Sequence, residues 1–260
     1  MAETIWQERR ADGPLVAVAI HDGHAVRNEV ARHLALSEAD RLREEDPSTG
    51  EWATVAPTSV VVLRSRFEVD LNRSRGQAVY RKPEDAWGLQ VWSDELPDRL
   101  IKRSLAEYDA FYETMRELLQ EKEHRFGRFV VYDLHSYNHR RAGPDEPPAD
   151  EAENPQVNVG TGTMDRERWA PIVDRFIADL QAYDFPGGRL DVRENVRFRG
   201  GNFPRWVHET FPRTGCALAI EFKKFFMDEW TGQVDPGLLR AITCALRHAA
   251  MGTLEELGRP

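Results

Sequence analysis

Apolar and polar residues alternate along this chain in two patterns. Short, mostly apolar runs occur at residues 15–20 (LVAVAI), 60–63 (VVVL), 129–134 (FVVYDL) and 216–226 (CALAIEFKKFF). Between them lie longer stretches with apolar residues three and four positions apart. The short runs predict buried strands, and the longer spacing predicts amphipathic helices. Residues 97–126 carry Leu100, Ile101, Leu105, Tyr108, Phe111, Tyr112, Met115, Leu118 and Leu119 on one helical face. Residues 164–183 repeat the pattern with Trp169, Ile172, Val173, Phe176, Ile177 and Leu180. A last helix is predicted over 235–257, with Pro236 at its first position. Residues 37–46 (SEADRLREED) have a Ser cap and an acidic first turn, which predicts a short exposed helix.

Weaker patterns fill the rest. Residues 157–160 predict a brief strand, 189–198 alternate like a strand, and 77–93 have no firm period and read as a loop. Proline and acidic residues mark 142–156 (AGPDEPPADEAENPQ) as an exposed loop, with a lid over the strand ends as one role open to it. Gly200-Gly201 suit a turn or a close backbone approach. Strands alternating with helices imply an α/β protein, a three-layer α/β/α sandwich with a mixed central sheet, in one domain over 1–260.

Composition narrows the class. A hydrophobic share of 41% and a charged share of 30% suit a globular fold. No apolar run approaches the roughly 20 residues a bilayer needs. The amino end (MAETIWQERRADG) has no apolar signal core, and Cys216 and Cys244 sit in apolar contexts without metal-type spacing. Both cysteines are therefore expected as buried thiols, and the default address is cytoplasmic. A net charge of −9 disfavours a nucleic-acid partner, although arginines crowd the polar strand ends.

Those strand ends carry the candidate chemistry. Ligand sites in open α/β sheets collect outside the carboxyl ends of strands. After the third apolar run the character changes abruptly to Asp133, His135, Ser136, Asn138, His139, Arg140 and Arg141. His21 and His24 flank a glycine turn after the first run, and three-residue separation lets two imidazoles converge on one ion. With His135 they would form a three-histidine zinc site, with Asp22, Asp133 and Glu29 available to orient the rings. Asn72 and Arg73 follow the second run, where an arginine fork can hold a carboxylate. Glu221 interrupts an apolar strand, and apolar neighbours raise a carboxyl pKa toward the range of a general base. Each residue alone has an ordinary reading: a hydrogen-bonded histidine, a surface arginine, an ion-paired glutamate.

Five short motifs in order resemble those of the N-formylglutamate amidohydrolases (N-formylglutamate deformylases). They are IHDG at His21, DLNR at Asp70, DLHS at Asp133, RGGNFPR at Arg199 and ALAIEFKKFFMDE at Ala217. The family is distantly related to zinc carboxypeptidases, and the resemblance implies a phosphorylase/hydrolase-like α/β fold. It further implies His21 and His135 as zinc ligands and Glu221 as the carboxylate that activates water. Asn72 and Arg73 become carboxylate grips, with Arg205 a second anion contact. His24, where carboxypeptidases have Glu, is the inferred third ligand, and Ser136 and Arg140 join the expected substrate pocket. The implied activity is zinc-dependent hydrolysis of an N-formylglutamate-like N-acyl amino acid, a small carboxylate-bearing substrate. A metallocarboxypeptidase acting on peptide tails and a catalytically silent carboxylate-binding protein are the competing readings.

Overall fold

The computed structural model describes residues 5–259. One mixed sheet holds seven strands: β1 (Trp6–Arg9), β2 (Leu15–Ala19), β3 (Thr58–Val62), β4 (Phe129–Tyr137), β5 (Val157–Gly160), β6 (Val192–Glu194) and β7 (Gly215–Lys223). Their order across the sheet is β1-β3-β2-β4-β7-β5-β6. The central four, β3, β2, β4 and β7, are parallel. β1 joins one edge antiparallel, and β5 pairs antiparallel with β7 before β6 completes the other edge. The helices are α1 (Asn28–Ala31), α2 (Glu38–Glu44), α3 (Thr49–Trp52), α4 (Asp98–Phe126), α5 (Ala170–Ala182), α6 (Asn202–Thr210) and α7 (Pro236–Leu257).

Strand periodicity divides the apolar residues into two cores. In β4, Val130, Tyr132 and Leu134 face one side with α5 and α7, while Phe129 and Val131 face the other with α4 and α6. β2 splits in the same way, Leu15 and Ala17 against Val16 and Val18. The result is the expected three-layer α/β/α arrangement, with a sheet covered on both faces and central strands that are mostly apolar. Ser37 caps α2 by accepting from the Asp40 N–H, and Asp235 caps α7 by accepting from Gly237 and Leu238. Among the described residues no helix is long and apolar enough to cross a membrane.

Several elements differ from expectation. β4 does not stop at the polar change but runs through His135 and Ser136 to Tyr137, so these polar groups are buried in the sheet. The strand expected over 189–198 is reduced to Val192–Glu194, because Asn195 turns into the left-handed region (φ 56°). The Arg197 and Phe198 N–H groups then bind the Asn158 side chain instead of a ladder. The helix expected from 164 begins at Ala170. The 200–205 turn becomes α6 from Asn202 onward, and the amino-terminal lead contains β1. Cys216 is buried as expected, whereas Cys244 is exposed on the outer side of α7.

The topology places a site. From β2 the chain passes to β3 on one side, then returns to β4 on the other. The carboxyl ends of β2 and β4 therefore flank the point where strand order reverses, the crevice such sheets use for ligands.

Candidate active site

His21 follows β2 directly, and His135 lies near the end of the neighbouring β4; both are buried. Their rings stand edge to face, with centroids 5.0 Å apart. Between them comes Asp46, from the turn after α2, with Oδ2 3.3 Å from His21 Nδ1 and 3.0 Å from His135 Nδ1. One ligand atom from each of the three lies within 4.8 Å of the others.

A carboxylate stands on the far side of each ring, hydrogen-bonded to His21 and within ion-pair distance of His135. His21 Nε2 donates to Asp70 Oδ1 at 2.8 Å, and His135 Nε2 lies 3.0 Å from Asp133 Oδ1. Asp70 is itself fixed by Arg66 at 2.9 Å, by the Tyr80 hydroxyl and by the Asn72 N–H. Carboxylates in this outer position set the tautomer and aim the inner nitrogen. His21 Nδ1 is left buried without a hydrogen-bond partner among the described atoms. A bare inward nitrogen beside a carboxylate and a second imidazole suits a divalent transition-metal ion, and the donor set matches zinc's preference. The same group could therefore hold a metal.

The electrostatics reflect this crowding. Burial works against ionisation of Asp46, yet the hydrogen bond from His135 and the nearness of both imidazoles hold its carboxyl well below the usual range. Burial would also lower the His135 pKa, but Asp133 and Glu221 raise it well above that of a free imidazole. A proton in the metal-free group is thus bound tightly where a cation would sit.

Glu221 stands beside His135 by register, since the two are paired residues of the parallel strands β7 and β4. Side chains of paired residues leave a sheet on the same face. Burial pushes the Glu221 carboxyl up to about 7, helped by Asp46 and Asp133 and opposed by His135. These residues form the floor of a cavity of about 800 Å³. Arg66, Arg73, Arg141, Arg197, Arg199 and Lys224 line it, giving a cationic wall in a chain of net charge −9. Arg197 stacks on Tyr137 and Phe198, 5.6 Å from each ring centroid, and has no ion-pair partner among the described residues.

A profile of the family described as FGase, N-formylglutamate amidohydrolase, matches residues 13–227, which include every residue of this floor. The chain belongs to the N-formylglutamate amidohydrolase family. Its fold is similar to a crystal structure of an N-formylglutamate amidohydrolase from Ralstonia eutropha JMP134, with a TM-score of 0.71 and 18% identity over 95% of this chain and 97% of that one. The product of gene Atu2144 from Agrobacterium tumefaciens gives a TM-score of 0.71 and 17% identity over 99% and 97% of the two chains. At these identities the likeness speaks for the fold. A comparison with curated proteins gave no match.

Against the family motifs the structure separates the expected site residues into two groups. His21, Asn72, Arg73, His135, Ser136 and Glu221 all line the cavity. His24 does not converge with His21 and His135. Its Nδ1 faces the buried Glu45 carboxylate and its Nε2 lies 3.1 Å from Arg41, so both ring nitrogens are engaged elsewhere. Asp46, and not His24, lies with His21 and His135. Arg205 points to solvent on α6, one turn beyond the glycines that line the cavity. Arg140 reaches the Glu146 carbonyl in the acidic loop, and the neighbouring Arg141 lines the cavity instead, paired with Glu44 at 2.9 Å. Of the expected ring-orienting acids only Asp133 lies beside a histidine ring of this group. Asp22 accepts from the Gly50 N–H at 2.9 Å, and Glu29 pairs with Arg103 on α4.

Asn72 has a second contact that fixes its orientation. Its Oδ1 accepts from the Phe203 N–H at 3.0 Å, so it caps the start of α6 from another part of the chain. With the oxygen engaged on a helix N-terminus, the amide NH2 is the end left to donate. Gly201 makes this possible: a Cβ there would lie 2.2 Å from Asn72 Oδ1.

Proposed function

We propose that this chain is a metal-dependent amidohydrolase that cleaves the amide bond of an N-formylglutamate-like N-acyl amino acid, with the whole chain acting as one catalytic unit. The observation that carries the reading is the convergence of His21, Asp46 and His135 beside Glu221 on the floor of an arginine-lined cavity. His21, Asp46 and His135 would hold one divalent ion, zinc by the nature of the donors. When bound, such an ion acidifies water and polarises an acyl oxygen.

The remaining work falls to this chain's own side chains. Glu221 accepts a proton from the attacking water as its oxygen bonds to the acyl carbon, then delivers that proton to the amine nitrogen as the C–N bond breaks. A carboxyl with affinity near neutrality can do both. Arg73 and the donating end of Asn72 hold the substrate carboxylate, and Arg197, free of ion pairs among the described residues, is available to a second anionic group.

Metal analysis of the purified protein, followed by an assay of N-formyl, N-acetyl and peptide substrates with free or amidated carboxylates, tests the proposal. The expected result is about one bound divalent ion per chain and release of free amino acid from N-formyl dicarboxylic substrates. Cleavage of peptides in preference to these would replace the reading with a carboxypeptidase. Failure to bind any divalent ion would favour a silent carboxylate-binding protein.

A further inference from the structure

Two of the three residues in the candidate metal group stand on or directly after sheet strands, but Asp46 does not. It sits in the turn that follows α2, where Glu45 leaves helical geometry (ψ 175°). A ligand on a turn is no better placed than the turn itself. The Asp46 N–H donates to the His21 carbonyl at 3.0 Å, and Thr49 Oγ1 donates to the Asp46 carbonyl at 2.7 Å. The first bond holds the peptide before Asp46 and the second its own carbonyl.

That preceding peptide is held from its other end by Lys224. This lysine is 1% exposed and lies three residues after Glu221, just past the end of β7. Its Nζ donates to the Arg43 carbonyl at 2.6 Å and to the Glu45 carbonyl at 2.7 Å. Both acceptors belong to the carboxyl end of α2, where carbonyls lack helical partners and a positive charge is favourable. Asn138, just past the end of β4, adds a donor to the Arg43 carbonyl at 2.9 Å. A fully buried lysine spent on two backbone carbonyls is costly unless their position matters.

We propose that Lys224 is the positioning residue of the metal centre, tying the end of α2 to the sheet so that Asp46 is aimed between His21 and His135. This inference rests on the metal reading above. It makes β7 the source of both the general base and the anchor of the third ligand. A shift of that strand end would therefore disturb both together.

Lys224→Met keeps the length and apolar stem of the side chain and removes its donors, leaving the Glu45 carbonyl buried without its partner. The test measures zinc dissociation constants by chelator competition and cobalt absorption spectra for wild type, Lys224→Met, Lys224→Gln and Asp46→Ala. Melting temperatures of the metal-free proteins are measured in parallel. The expected result for Lys224→Met is a loss in zinc affinity on the order of 10- to 100-fold, as removal of outer ligand supports gives. Its cobalt spectrum should change while the metal-free melting temperature stays near that of wild type. Lys224→Gln, with one donor group retained, should fall between. Should the methionine variant fail to fold, the glutamine variant decides alone. Wild-type zinc affinity and an unaltered cobalt spectrum in a folded Lys224 variant would overturn the proposal, provided Asp46→Ala has lost the ion. If wild type binds no ion, or Asp46→Ala binds it equally well, the metal reading itself falls.

Discussion

Glu221 is the residue on which the proposed chemistry turns. It has two ways to be a poor structural choice: it is a carboxylate on an apolar strand, and it faces Asp46 and Asp133 across a small space. Burial and the two carboxylates push its pKa up, and a nearby cation would bring it down. Glu221→Gln keeps the shape and removes proton acceptance. The expected outcome is a turnover loss on the order of 100-fold or more with fold and bound metal retained. Melting temperature, metal content and turnover on one preparation check this, and near-normal turnover in a metal-loaded variant would remove Glu221 from the mechanism. At this scale much of the site was legible. His21, His135, Glu221, Asn72 and Arg73 all stand out because polar groups end or interrupt apolar runs. Asp46 did not stand out. It closes the acidic segment SEADRLREED, where charge usually means solvent, and only the fold reveals that Glu44, Glu45 and Asp46 turn inward.

At the scale of elements, the strands with mostly apolar runs were readable because burial on both faces favours that composition. The elements that escaped are those whose reason lies outside their own sequence. β1 is an edge strand with three of its four residues exposed, so its residues need not be apolar. α6 begins at a glycine pair and is capped by Asn72, far away in the chain. In the proposed reading that cap makes the helix part of the carboxylate grip. Gly201 has an ordinary φ of −93°, so alanine there would meet no backbone strain and would only crowd Asn72. Gly201→Ala should therefore raise KM for substrates with a free carboxylate several-fold, with a smaller effect on amidated analogues. Asn72→Asp should raise it further, since Asp can still cap the helix but presents a negative oxygen to the substrate. Steady-state kinetics on paired acid and amide substrates read the difference. Equal effects on both substrates would assign Asn72 to the fold alone.

The whole molecule couples its stability to the occupant of this floor. In the metal-free protein His135 holds a proton strongly, for Asp133, Glu221 and Asp46 surround it and outweigh the burial that opposes its charge. A histidine with a raised folded-state pKa contributes stability that is complete below about pH 6.5, the unfolded value. That contribution is lost as pH rises through the folded value. Glu221 acts in the same direction. Its carboxyl is raised to about 7, so between the unfolded value of about 4.3 and neutrality the unfolded chain gives up a proton that the folded chain keeps. Folding is penalised increasingly over that range. Asp46 is lowered, and its contribution is lost only in acid below the range where these proteins are handled. The contribution of this floor to the stability of metal-free protein should therefore fall as pH rises from 6 to 8. A divalent ion on His21, Asp46 and His135 replaces the proton, so its binding releases protons and tightens over the same interval. The melting temperature of zinc-loaded protein should exceed that of chelator-treated protein by a margin that widens from pH 6 to pH 8. Calorimetry of both forms at several pH values measures it. A margin that is constant, or that narrows with rising pH, would mean that the ion and the His135 proton do not compete for one place.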